Sequence, residues 1–300
     1  MSGKILITGA TGQLGTHLLR ALGTDDTCTR VRALVRRDDA ELPVEMHCVA
    51  LSAVVDHPEI MEDVDCIIHL AAHMGKGSLA MHREVTVSGT ASLLRAAETA
   101  GVERFLFISS IAAGFESRAL QPYPYAVAKR EAEALVTASS LRTLILRPTL
   151  ILGAGMSGHE ALSSLACLPV TPLFGDAELQ PIHVRDVAAA IVHALESEAF
   201  DGRILDVGGP TRLTMSELLK RMRRLSTKGG EACLMRLPGA GIAMMLGAIE
   251  PVLRPLLPLT AGQIQTFMQP GTAEANTLMD ALAHSMMDLD EIFAEAPNDG

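Results

Sequence analysis

The chain predicts an α/β fold: a doubly wound parallel sheet with helices on both faces, followed by a smaller, mostly helical C-terminal part. Three observations carry this expectation. Short apolar runs at 5–7, 30–35, 64–70, 102–108, 142–146 and 203–207 alternate with helical patterns, the rhythm of parallel strands joined by crossover helices. The first run turns through glycines at 9, 12 and 15 directly into the helix-like stretch from Thr16 to Leu22. The length of 300 residues suits one dominant domain and a minor one.

The opening unit, Lys4 to Gly15, organises the rest. A strand passing through glycines into a helix aims backbone N–H groups and the positive helix end at a pyrophosphate. Gly9 suits the tight turn, Gly12 the close approach of backbone to phosphate, and Gly15 the packing of helix on sheet. Thr11, Gln13 and Leu14 fall in the same cradle. Glycine triplets also serve ordinary turns, so the flanking strand and helix give this one its meaning. The second strand ends at Val35 and is followed by Arg36 and Arg37, with Asp38 and Asp39 only later. A guanidinium there suits a ribose 2′-phosphate, which favours NADP over NAD, while a solvated strand end is the plain alternative.

Further along, 47–51 is a strand candidate, and the run at 64–70 ends in Leu70, Ala71 and Ala72, small enough at 71 and 72 for a cofactor to approach. His69 reads as a packed core residue, and His73 as a loop residue able to line the crevice. A helix over 87–100 precedes the strand that delivers Ser109 and Ser110 to the sheet edge, where they serve a ligand or cap a helix. Tyr125 and Lys129 stand four apart, so on a helix the ammonium lies near the phenol, lowers its pKa and reaches ribose hydroxyls. With a serine polarising the substrate oxygen, this is the equipment of a dehydrogenase or reductase. Helices are expected after Asp186 and over 214–225, and His183 reads as structural.

The remaining features exclude other classes. The formal charge is -10, which argues against a nucleic-acid groove. Cysteines at 28, 48, 66, 167 and 233 are odd in number and scattered, suggesting buried thiols in a reducing compartment rather than disulfides or zinc. The ten histidines form no ligand cluster, so no metal is expected. The N-terminus enters a strand at once, without the layout of a secretion signal, and a cytoplasmic location is expected. The apolar stretch over 237–260 is interrupted by Glu250, Arg254 and prolines 251, 255 and 258, and reads as packed helices rather than a membrane span. Contact with a membrane surface or a partner protein through it is the lesser alternative.

Taken together, Thr8-Gly9 with Gly12 and Gly15, His69-Leu70-Ala71-Ala72, Ser109-Ser110, Tyr125 with Lys129, Leu146-Arg147-Pro148-Thr149, His183 to Val187 and Val207-Gly208-Gly209 resemble the extended short-chain dehydrogenase/reductases, which include the NAD(P)-dependent epimerases and dehydratases. The resemblance covers residues 1 to about 220. It implies a Rossmann-like domain over 1–150, to which 180–210 return, and substrate-side segments at 151–179 and 211–300. It makes Tyr125 the acid/base, Lys129 its helper and ribose ligand, and Ser110 the substrate-oxygen donor. Ser109, Leu70 to Ala72 and Pro148 would line the cofactor crevice. Homodimerisation is also an expectation of the resemblance.

Departures are present. Ala50-Leu51-Ser52 lacks the family's aspartate, Thr86 replaces its asparagine before Gly89-Thr90, and Ser110 and Tyr125 are only fifteen positions apart. The tail is similar instead to atypical members akin to the accessory subunit of respiratory complex I. Three functions follow: an NADP-dependent oxidoreductase of a small or apolar carbonyl or alcohol, a sugar-type epimerase, and a non-catalytic dinucleotide-binding scaffold.

Overall fold

The computed structural model describes residues 3–23, 30–37, 41–115, 123–226, 229–253 and 260–294. Its first half runs β1 (Lys4–Thr8), α1 (Gln13–Leu22), β2 (Val31–Val35), β3 (Glu45–Cys48), β4 (Val64–His69), α2 (Leu79–His82), α3 (Gly89–Ala100), β5 (Arg104–Ile108), α4 (Pro124–Ala138) and β6 (Arg142–Pro148). Strand Ile204–Val207 joins them in a seven-stranded sheet, in the order Ile204–Val207, β6, β5, β4, β1, β2, β3. All its pairings are parallel. The winding direction reverses between β1 and β4, where Thr8 lies beside His69, and an open α/β sheet binds its ligand at such a point.

The central strands form because both their faces are covered. Every residue of β2 and β5 is buried, as are Ile5 to Thr8 of β1. One face packs Ile7, Val31, Ile68 and Leu146 under α1 and helix Val184–Leu195. The other packs Leu6, Ile67, Phe105 and Phe107 under α3 and α4. Arg104 is buried in β5, where it pairs with Asp201 at 2.7 Å and donates to the carbonyls of Ala194, Leu195 and Ser197 at the end of helix Val184–Leu195. A cation there complements the negative helix end.

β3 lies earlier than the 47–51 expected, because Leu51–Asp56 turns into a 3₁₀ helix that buries Val54. Its mostly exposed residues make it an edge strand, and Glu45 on it pairs with Lys4 and Arg32, a charged edge that discourages further pairing. Beyond the sheet, Leu162, Leu173, Leu218, Leu219 and Ile292 build a second core from helices Ser157–Ala166, Met215–Leu225 and Leu289–Ala294. Helix Met215–Leu225 starts with a reciprocal Thr214–Glu217 capping box. Asp186 accepts from the Met287 N–H at 3.0 Å, tying the tail to the main body.

The cysteine expectation holds in part. Among the described residues Cys66 is buried, with its thiol pushed up to about 12 by burial, whereas Cys48 and Cys233 are exposed. Cys28 lies outside the described residues. Among the described residues, no helix is long and apolar enough to cross a membrane and no three His, Cys, Asp or Glu side chains converge as a metal site.

Candidate active site

The glycine cradle forms where β1 gives way to α1. Gly9 has φ 75°, and a Cβ there would stand 2.8 Å from the Ala71 nitrogen, so the turn needs glycine both for its dihedral and for the close passage of the chain beyond β4. A Cβ on Gly15 would stand 2.4 Å from the Gly9 carbonyl oxygen, which explains how α1 sits so near the turn. Gly12 caps α1 with no side chain on its first amides, and Thr11, Gly12 and Gln13 are exposed while Leu14 is half-buried. Gln13 reaches towards the loop after β6, where a Cβ on Gly155 would meet its amide nitrogen at 3.2 Å.

Next to the cradle, β4 delivers half-buried Leu70, Ala71 and Ala72. His69 is fully buried between two hydroxyls, with Nδ1 2.6 Å from Thr8 Oγ1 and Nε2 2.9 Å from Thr90 Oγ1. Burial, then the charge of Lys129, pulls its imidazole down to about 3, so it is a neutral structural bridge.

β5 leads directly into Ser109 and Ser110. Ser109 Oγ is buried with no hydrogen-bond partner, whereas Ser110 Oγ accepts from the Ala112 N–H at 3.2 Å and stands near enough to the Tyr125 phenol to influence its ionisation. Of the two readings of Ser110, the cap is the one seen in the structure, at the start of the short turn Ile111–Gly114. Tyr125 lies in the first turn of α4, begun by Pro124 in the position that tolerates proline. One turn on, Lys129 is buried and its Nζ donates to the Ile108 carbonyl at 2.6 Å. Its Nζ also stands 4.6 Å from the Phe107 ring centroid and 6.0 Å from that of Tyr125.

The electrostatics differ from the simple expectation of a phenol lowered by its lysine. Burial raises the Tyr125 pKa, with Tyr123 adding and the nearby Ser110 hydroxyl opposing. Burial also draws Lys129 down to about 7, against the pull of Glu133. Desolvation outweighs the attraction because the ammonium rests on a carbonyl rather than on the phenol oxygen.

Sequence reasoning missed two neighbours. Glu133, four residues beyond Lys129, forms a bidentate pair with Arg147 at 2.8 and 2.6 Å, joining α4 to β6. The repeated spacing of four from Tyr125 through Lys129 to Glu133 was the available signal. His82, buried in α2, meets the Tyr125 ring at a centroid distance of 6.2 Å. The two residues stand on separate helices, so no spacing in the sequence signals the contact.

The structure thus brings together the glycine cradle, Leu70 to Ala72, Ser109, Ser110, Tyr125 and Lys129 along the C-terminal edges of β1, β4 and β5, with Pro148 buried at the end of β6. The first amides of α1, which Gly12 leaves without a side-chain cap, and the unpartnered buried hydroxyl of Ser109 are groups that a dinucleotide would satisfy. A sequence profile of the NAD dependent epimerase/dehydratase family matches residues 5–208. The chain belongs to this family.

Within it, the chain is 32% identical over 249 residues to the ceramide reductase of Caulobacter vibrioides (strain NA1000 / CB15N), covering 80% of this chain and 75% of the relative. Solved structures share the fold. MoeE5 in complex with UDP-glucuronic acid and NAD superposes with a TM-score of 0.73 at 21% identity, covering 97% of each chain. The UDP-glucuronic acid 4-epimerase from Bacillus cereus, in complex with UDP-glucuronic acid and NAD, gives 0.71 at 19% identity, over 97% of this chain and 96% of that one. Family membership makes the protein a dinucleotide-dependent oxidoreductase or epimerase.

The expectation of NADP is corrected by these comparisons, since the dinucleotide in both structures is NAD. Arg36 and Arg37 are exposed at the end of β2. An arginine pair at a strand end reads equally as solvated surface, and the charge pattern alone carried the NADP expectation. Asp38 and Asp39 lie outside the described residues.

Proposed function

We propose that the protein is an NAD-dependent epimerase or dehydrogenase acting on a secondary alcohol of a UDP-sugar-like substrate. The observation that carries hydride chemistry is the meeting of Tyr125, Ser110 and Lys129 beside the glycine cradle. The substrate class is supported by the UDP-sugars held in structures of the same fold.

Gly9, Gly12 and Gly15, with the first amides of α1, would hold the pyrophosphate, and Ser109 and Lys129 would meet the nicotinamide end. A bound NAD would supply reversible hydride transfer at the substrate carbon. Tyr125 takes the hydroxyl proton as the carbon is oxidised and gives it back on reduction. Ser110 holds the substrate oxygen against the phenol. Lys129, drawn down by burial to about 7, gains charge when a polar partner replaces the Ile108 carbonyl, and then favours the phenolate. An epimerase would need the site to admit the substrate ring in two orientations, so that Tyr125 and Ser110 serve the same oxygen in both.

A second reading, net reduction of a long-chain keto substrate, is favoured by a separate observation. Helix Gly239–Leu253 carries no charged residue from 239 to 249 and exposes Met244 and Met245, each at 60%. It packs on helix Ala261–Thr266, whose Gly262 abuts Tyr123, since a Cβ there would stand 2.8 Å from the Tyr123 Cα. An apolar roof near the catalytic tyrosine suits a hydrocarbon chain, and the ceramide reductase relative points the same way.

The test is incubation with NAD and UDP-glucose or UDP-glucuronic acid, with the 4-epimer measured by chromatography and NADH by absorbance. Epimer without NADH accumulation supports the first reading. NADH consumption only on a long-chain ketone, in vesicles or detergent, selects the second. Tyr125→Phe should lower kcat by about 10²–10⁴-fold while NAD still binds. Failure of NAD to bind at all would sink both readings.

A further inference from the structure

His82 is 1% exposed, and its ring stands edge-on to two others: His73, at a centroid distance of 4.6 Å and 85°, and Tyr125, at 6.2 Å and 73°. Tyr123 closes the row, 5.6 Å from Tyr125. Packing a buried imidazole and a half-buried one beside a phenol is unfavourable unless the arrangement is held, and three features hold it. Gly77 makes room for the pair, since a Cβ there would stand 2.7 Å from His73 Nε2 and 3.2 Å from His82 Cδ2. Thr86 Oγ1 accepts from the His73 N–H at 3.3 Å. Immediately after His82 the helix widens into a π-helical turn over Arg83–Ser88 before resuming as α3. Such a turn shifts the register of one helix face, and here α2 and the π-turn both pack against α4.

We propose that His82, backed by His73, is a positioning residue for Tyr125: its imidazole walls the phenol from water and holds the ring at Ser110. The charged and titratable groups on the surrounding elements are Tyr123, Tyr125 and Lys129 of α4, His73 and Lys76 after β4, and Arg83, which is paired with Glu131 at 2.5 Å. That last pair is half-exposed on the arginine side. The burial that raises the Tyr125 pKa is consistent with a wall of this kind.

The inference rests on Tyr125 as the acid/base, yet its test reads the phenol without turnover. The chain has two tyrosines and no tryptophan, so in a Tyr123→Phe background the ultraviolet phenolate absorbance reports Tyr125 alone. Truncating the wall by His82→Ala admits water and should lower the Tyr125 titration midpoint by about one pH unit or more. His82→Phe keeps a ring in place and should restore it. In steady-state kinetics His82→Ala should lower kcat while the Kd for NAD stays unchanged. If His82→Ala does not fold, His82→Thr, which also removes the ring, is read in the same way. A midpoint that does not move on truncation, or a His82→Phe variant that titrates like the truncated one, overturns the proposal. Loss of NAD-dependent activity in the parent protein would count against the proposed function and leave the phenol titration readable.

Discussion

His69 Nε2 lies 2.9 Å from Thr90 Oγ1, and that bond settles the tautomer of a buried imidazole. Thr90 spends its own proton on the Thr86 carbonyl at 2.5 Å, so its oxygen must accept, and His69 Nε2 must carry the hydrogen. Nδ1 then accepts from Thr8, whose oxygen in turn accepts from the Ala71 N–H at 3.3 Å. The chain of bonds ties the cradle of β1 to the loop after β4 and to α3, and it works only with neutral histidine.

A pH dependence follows from that neutrality. In the unfolded chain the imidazole titrates near 6.5, whereas in the fold it is drawn down to about 3. Below 6.5 the unfolded state therefore binds a proton that the folded state refuses. Stability should be fully present above pH 6.5 and fall towards pH 3 by up to ~1.4 kcal/mol per unit from this group. Urea midpoints at pH 7 and pH 5 measure the slope, and His69→Gln, which can keep both hydrogen bonds without titrating, should flatten it.

Gly15→Ala should weaken NAD binding by more than about tenfold, since overpacking of one methyl costs roughly 1–3 kcal/mol. The new Cβ would meet the Gly9 carbonyl oxygen at 2.4 Å and the Ala10 Cα at 2.6 Å, both backbone atoms that cannot swing aside. Titration by NADH fluorescence measures the loss. Unchanged affinity would mean that α1 does not sit on the cradle as described.

Arg147→Met should destabilise the fold by about 3 kcal/mol, because it leaves the 5%-exposed Glu133 carboxylate without its partner. Arg147→Met with Glu133→Leu should recover most of that loss, since the uncompensated charge is then gone. Denaturant midpoints of the two variants decide it. Equal losses would show that packing, not charge, joins α4 to β6.

Arg36→Ala should leave the NAD affinity within about twofold, the scale of an exposed surface charge. The side chain is exposed and no 2′-phosphate is present in NAD for it to meet. A larger loss in the same fluorescence titration would give this arginine a role in holding the adenosine end.

Features that depend on local pattern were legible in the residues alone. The apolar runs named the strands of the sheet, the glycines at 9, 12 and 15 marked the turn into α1, and the spacing of Tyr125 and Lys129 placed them on one helix face. These are properties of neighbouring residues, set by backbone sterics and helical periodicity, so they are readable without tertiary contacts. The tertiary structure decided the rest. The protonation of Tyr125 and Lys129 is governed by burial, which no spacing reveals. His82 reaches Tyr125 because α2 packs against α4, and Glu133 finds Arg147 across two elements. The arginines after β2 suggested a phosphate by charge alone, while recognition requires a charge held in place, and Arg36 and Arg37 lie on an exposed strand end.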